Sequence, residues 1–295
     1  MKTSKTETPL RLLKRAKSLD NYLSTVRLIR EECFIPPHQE LWFRAEDEAH
    51  SRTHLQPGLY RPREDGRSKS IRELLLLEGD LYDEFTRCAS QLGDLSFNDD
   101  EWDPYFLMQH HGVPTRLLDW TDGALIALHF AVRNKPLPVK CGALVHVLDP
   151  WWLLDLLKRH PDRTNAITRW TKFNKLHPHD TYQDDWERLY LPLDEDDTKD
   201  SLLATPATPL LWDSPHVSRR VAAQRSRFMI FGSDPSWLAE LASKKKSRMW
   251  SIPIPAENIE QIKQELRDAG ITESVVYPDL DGLGRELRQL WELRR

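Results

Sequence analysis

Residues 109–121 read Gln109-His110-His111-Gly112-Val113-Pro114-Thr115-Arg116-Leu117-Leu118-Asp119-Trp120-Thr121, the densest run in the chain of groups that donate, accept or titrate. Histidine moves a proton or orients a ligand near neutral pH. Aspartate supplies negative charge, and arginine supplies a forked donor that fits phosphate or carboxylate. The pattern suits a ligand cleft lined by Gln109, His110, His111, Arg116, Asp119 and Thr121, with perturbed pKa values. A polar network pinning a turn between two buried helices accounts for the same spacing, because buried polar groups need partners. Spacing alone does not separate these readings: Arg116 and Asp119 either pair with each other or face a shared cleft.

Two further segments carry cations. Arg44 follows Leu41-Trp42-Phe43 on an expected buried strand. There it is either an anion clamp beside a cleft or the partner of Glu46, Asp47 or a distant acid. The run Arg219-Arg220-Val221-Ala222-Ala223-Gln224-Arg225-Ser226-Arg227-Phe228 holds four arginines in nine residues, suited to a phosphate-bearing ligand or to a solvated face. No metal site is expected. His110 and His111 are adjacent and diverge on a helix by about 100°, and His177 and His179 lie in a polar stretch without a cysteine nearby. The chain has no zincin helix, Walker loop, nucleophile elbow or dinucleotide glycine fingerprint.

The elements that must position these groups follow from periodicity and caps. Tyr22, Val26, Ile29 and Cys33 mark a helix from Ser18, stopped by Pro36-Pro37. Residues 68–92 form a second, with Ile71, Leu74, Leu75, Glu78, Leu81 and Phe85 on one stripe and Gly79 weakening its middle by roughly 1 kcal/mol. Asp103-Pro104 starts a third, with Asp as N-cap and Gly112 following its end. Thr115–Asp119 is extended, and Thr121 or Asp122 caps a helix over 123–133 that is apolar nearly all round and belongs in the interior.

Gly142–Leu148 is a strand, and Asp149-Pro150 opens a short helix from Trp151. Residues 161–200 read as an elaborated loop with a helix or two and an acidic run at 194–197. Prolines 206, 209 and 215 keep the next stretch irregular. Strands follow at 228–231 and 249–254, then a helix over 257–269 closed by Gly270, a last strand at 274–277, and a terminal helix with Leu283, Leu287, Leu290 and Trp291 on one face. The sum is an α+β architecture. It is a single mixed domain over 18–295 with a central split or antiparallel-rich sheet, a helical N-terminal arm and long irregular insertions, preceded by a basic flexible tail over 1–17.

Composition narrows the setting. The 295 residues carry a formal charge of −4, which gives nucleic acid and anionic membrane no global attraction. A nucleic-acid role would have to draw on the basic arm, the arginine segment and Lys244–Lys246. Cys33, Cys88 and Cys141 are far apart and odd in number, as for free thiols in a reducing compartment. No apolar run is long enough for a signal segment or a membrane span, so a cytoplasmic protein is expected.

The same residues resemble the FRG domain family, named for a Phe-Arg-Gly motif. Leu41-Trp42-Phe43-Arg44-Ala45-Glu46 is similar to its opening motif, with Ala45 in place of glycine. The 109–121 run resembles its hallmark, and Ala127-Leu128-His129-Phe130-Ala131 the segment that follows. Arg220 through Phe228 resembles a later segment, with Ser226 in place of glycine. Gly270-Ile271 and Tyr277-Pro278-Asp279-Leu280-Asp281-Gly282-Leu283 resemble the closing pieces. The two replaced glycines imply local backbone divergence. The order of Arg44, the 115–121 strand, 127–131 and the strand at 228 bears a more distant likeness to the ADP-ribosyltransferase fold.

That likeness implies a nucleotide- or NAD-handling enzyme. Arg44 and Arg116 would bind phosphate, and Gln109, Thr121 and Gln224 would hold ligand. His110 or His111 would orient it or move a proton, and Asp119 would supply the negative charge that a glutamate supplies in the transferases. The rival is a non-catalytic module that binds a nucleotide signal or a protein partner in a stress or phage-defence system.

Overall fold

A computed structural model describes residues 12–47, 55–62, 69–92, 101–133, 139–176, 185–193, 204–213 and 219–294. Its centre is an open six-stranded sheet of β1 (Trp42–Asp47), β2 (Leu117–Thr121), β3 (Ala143–Leu148), β4 (Leu210–Trp212), β5 (Ser226–Ile230) and β6 (Met249–Ile254), in the order β4-β5-β2-β1-β3-β6 with every pairing antiparallel. The α+β class and the antiparallel sheet agree with the sequence. β1 runs six residues in register with β3, yet meets β2 at Phe43 opposite Thr121 alone.

Alternation along the strands gives the sheet two different faces. Phe43, Ala45, Val145, Val147 and Ile252 face α1 (Leu19–Glu32), α4 (Ala124–Val132) and α9 (Ile259–Asp268). Leu117, Phe228 and Ile230 continue that face under α3 (Trp102–His110) and α6 (Pro161–Leu176). On the reverse, Trp42, Leu118, Trp120, Met229 and Met249 pack on α5 (Pro150–Lys158) and α8 (Trp237–Ser243). Each fully buried large apolar side chain contributes roughly 1.5–3 kcal/mol.

Local signals explain most boundaries. Ser18 caps α1 through Asn21 N–H, and Asp149 caps α5 through the N–H groups of Trp151 and Trp152. Ser70 and Glu73 cap each other at the start of α2 (Ile71–Leu92). α3 ends with Gly112 at φ 79°, Val113 N–H on the Met108 carbonyl and Gly112 N–H on that of Gln109. This left-handed closure repeats at Gly270 after α9.

Several expectations shift. α1 stops at Glu32, ahead of the prolines, because Phe34 turns left-handed at φ 52°. α3 begins at Trp102, which leaves Asp103 inside the first turn rather than at the cap. α4 is preceded by Gly123, whose N–H is accepted by Thr121 Oγ1. The proline-rich stretch contains edge strand β4, and the basic turn into β5 places Arg225, not Ser226, at positive φ. Residues 274–277 are not a strand. Glu273–Val276 forms α10, because Glu273 anchors to cations on neighbouring helices and overrides the β-branched pair behind it.

The basic segment does not run free as far as residue 17: Leu13 N–H donates to Ser251 O and Ala16 N–H to Pro253 O, which lays 12–16 along β6. α7 (Arg219–Gln224) and α11 (Leu280–Arg294) complete the order. The acidic run at 194–197 and the pair His177 and His179 lie outside the described residues. No described helix is long and apolar enough to cross a membrane.

Candidate functional site

A cavity of about 590 Å³ opens on the sheet, lined by residues of α3, α4 and α7 and by Tyr277 after α10. Asp119 is part of its floor and Arg44, Thr121 and Ser226 border it. Gln109, His110 and His111 come from the end of α3, Arg220 and Gln224 from α7, and Tyr277 from the turn after α10. Phe43, Phe106, Phe130 and Phe228 supply apolar wall. The size lies within the range of about 300–1,000 Å³ usual for small-molecule sites.

Asp119 sits at the middle of β2, flanked by strand neighbours with buried side chains. Its Oδ2 accepts from Gln109 Nε2 at 2.6 Å. Gln109 Oε1 accepts from the Thr115 hydroxyl at 2.6 Å, and Thr115 Oγ1 accepts from Leu117 N–H. This relay exists because Thr115, Leu117 and Asp119 alternate onto one face of an extended segment. The Asp119 carboxyl is open to the cavity and enclosed by protein on its other sides. That enclosure raises its pKa above the ordinary aspartate value, while Arg44 and the Gln109 hydrogen bond pull it down.

Arg44 lies on the opposite strand face from Phe43. Its Nε donates to Glu46 at 3.0 Å and its Nη1 crosses to the carbonyl oxygen of Asp119 at 2.7 Å. Arg44 therefore has the acidic partner and also borders the cavity. Glu46, buried, further accepts from Leu55 N–H and stands 3.5 Å from His146. Burial pushes its pKa up, but His146 and Arg44 outweigh it and hold Glu46 well below the usual carboxylate range.

Thr121 and Gln224 border the cavity while working as structural ties. Thr121 Oγ1 donates to the Gln224 carbonyl at 2.7 Å, and Gln224 Nε2 donates to the Val276 carbonyl at 3.3 Å. His110 is half-buried, and burial followed by Arg220 and His111 lowers its pKa, against Asp279. His111 is exposed, edge-on to His110 at 5.2 Å between ring centroids.

Arg116 is not at the cavity. Its side chain has no exposed surface and it pairs with Glu78 of α2, also fully buried. Glu78 accepts from Arg116 N–H and Nε and from the Tyr105 hydroxyl. The guanidinium also donates to the carbonyls of Tyr190, Leu191 and Phe231. Arg116 and Asp119 thus neither pair nor share a cleft. An odd separation on extended backbone sends them to opposite faces, so the expected phosphate contact from Arg116 has no route to a ligand in this cavity.

The arginine segment divides likewise. Arg225 pairs with Asp122, and Arg227 with Glu40 and Asp122. Arg220 lies over the Tyr277 ring at 4.5 Å and faces the cavity. Tyr277 was not among the sequence-derived candidates, although it lies in the closing motif. Arg133 and Arg285 also lie over its ring, and both pair with Glu273, which His129 approaches at 3.2 Å. Among the described residues no group of three His, Cys, Asp or Glu side chains is placed to hold a metal ion.

No curated protein and no solved structure matches the chain. Residues 39–138, which carry Arg44, the Gln109–Thr121 run and α4, match the family model of the FRG domain, and this part of the chain is an FRG domain.

Proposed function

We propose that the cavity binds a nucleotide-sized ligand and that Asp119 acts on its sugar or amine end. The observation that carries this is a carboxylate on a rigid strand, open to a cavity of about 590 Å³, oriented by Gln109 and raised in pKa by its enclosure. Among the described residues Asp119 has no ion-pair partner, and beyond its hydrogen bond from Gln109 it borders the cavity. Such a group accepts a proton from a ligand hydroxyl or stabilises positive charge developing at a sugar carbon. The aromatic wall suits a base, and cations at the border suit an anionic end.

NAD is the first ligand to test, by calorimetric titration of the purified protein with mass spectrometry for released nicotinamide. Binding with slow turnover that vanishes in Asp119→Asn supports an enzyme. Binding without turnover in the unmodified protein points to a sensor module. Absence of binding by NAD, ATP, AMP and adenosine at millimolar concentration sinks the nucleotide reading.

A further inference from the structure

The cation that fits a ligand anion is Arg220, and three features of its surroundings carry this. The other arginines near the cavity have acidic partners: Arg44 has Glu46, Arg133 and Arg285 have Glu273, Arg225 has Asp122, and Arg227 has Glu40 and Asp122. Among the described residues Arg220 has no carboxylate in ion-pair range, and its Nε is buried without a hydrogen-bond acceptor. An unsatisfied buried donor is costly, and more so on a charged group.

Second, its plane is fixed. The guanidinium lies over the Tyr277 ring at 4.5 Å, which holds one of its faces, and Arg220 lines the cavity. Tyr277 is held in turn by Arg133 and by the Glu273 cluster, so the platform does not depend on Arg220. Third, His110 and His111 border the same cavity, and the field of Arg220 reaches both His110 and Asp119. The cavity is thus lined by a carboxylate, an imidazole and a guanidinium without an acidic partner.

We infer that Arg220, laid on Tyr277 and lining the same cavity as His110, forms the subsite for a phosphate group of the ligand, distinct from the Asp119 carboxylate. This rests on the cavity being a ligand site, and moves the phosphate contact from Arg44 and Arg116, both committed to buried glutamates, to α7. The ligand class is a phosphate monoester or diphosphate whose uncharged part reaches Asp119. Free inorganic phosphate shares the chemistry of the anionic end.

The test compares AMP, adenosine and inorganic phosphate on the full chain, as wild type, as Arg220→Gln, and as Arg219→Gln for an exposed charge on the same helix. Calorimetry is expected to give AMP an advantage over adenosine of about 10- to 100-fold, the worth of one or two charge-assisted hydrogen bonds. Arg220→Gln should erase that advantage and leave adenosine affinity unchanged, while Arg219→Gln keeps it. Proton NMR of His110, assigned with His110→Gln, reads the subsite without a nucleoside. Millimolar phosphate should shift its signals in wild type and not in Arg220→Gln.

If neither nucleoside nor nucleotide binds but phosphate still shifts His110 through Arg220, the nucleotide reading fails and the anion subsite stands. If AMP keeps its advantage in Arg220→Gln, or phosphate shifts His110 equally in both proteins or in neither, the subsite is wrong.

Discussion

Gln109 is clamped between two groups that fix its amide: its Nε2 donates to Asp119 Oδ2 and its Oε1 accepts from the Thr115 hydroxyl, each at 2.6 Å. Thr115 Oγ1 already accepts from Leu117 N–H, so its proton is directed at Gln109. One end of α3 is thereby tied to β2 through the carboxylate that faces the cavity. Removing the Gln109 donor takes away an interaction that lowers the Asp119 pKa. Gln109→Leu is therefore expected to move the Asp119 titration upward, read by carboxyl carbon NMR, and to weaken ligand binding about tenfold.

For Asp119 itself, enclosure by protein raises the folded-state pKa above the unfolded value. The folded protein then binds more protons between the two values, so stability falls as pH rises through that window and stays lower above it. Asp119→Asn removes this penalty and can still accept from Gln109. The variant should match or exceed wild type in melting temperature at pH 7, converge with it at acid pH, and lose at least about 100-fold in any turnover. Unfolding of Asp119→Asn would show a structural carboxylate instead.

Arg116 and Glu78 behave in the opposite way. Removing one partner leaves a bare charge in a fully buried site, which costs about 3–5 kcal/mol. Glu78→Gln should therefore lower stability by that order in denaturant titration, and Arg116→Met should destabilise as well. The pair Glu78→Leu with Arg116→Met should recover part of the loss. Any of these that folds should still bind ligand with near wild-type affinity, since Arg116 does not border the cavity.

Glu273 fastens the Tyr277 wall to α4 and α11. Burial pushes its pKa up, but hydrogen bonds from Arg285 and Arg133 outweigh this and lower it. Its contribution is present above the ordinary glutamate pKa and is lost as pH falls through the lowered folded value. Glu273→Gln should cost roughly 1.5–3 kcal/mol at pH 7, with the two melting curves converging under acid. AMP binding should weaken with it, because the platform beneath Arg220 loosens.

Gly79 has a role that helix propensity hides. A Cβ there would stand 1.9 Å from the Leu193 carbonyl oxygen, so the residue lets a loop press against α2 behind Glu78. Gly79→Ala, a gain in an isolated helix, should destabilise the protein by roughly 1–3 kcal/mol, seen as a lower denaturation midpoint.

The sequence by itself determined the local features: the Ser18 and Asp149 caps, the glycine closures at Gly112 and Gly270, the extent of β6 and the interior helix α4. These depend on neighbours within a few residues, where periodicity and capping chemistry act. It also drew Asp119, His110, His111, Gln109, Arg44, Thr121 and Gln224 together, and the cavity lines all of them.

Some of the remainder is written in residue type and spacing. Glu78 in an apolar stripe announces a buried charge needing a cation, and the odd spacing of Arg116 and Asp119 on one strand announces opposite faces. Tertiary structure alone decided the rest. Which of the four clustered arginines gain an acid, Arg225 and Arg227, depends on Glu40, Asp122 and Asp213, far apart in the chain and brought beside β5 by the sheet. The turn of 273–276 into helix likewise depends on Arg133 arriving from 140 residues away. Long-range pairing of charge has no local period, so no reading along the chain locates it.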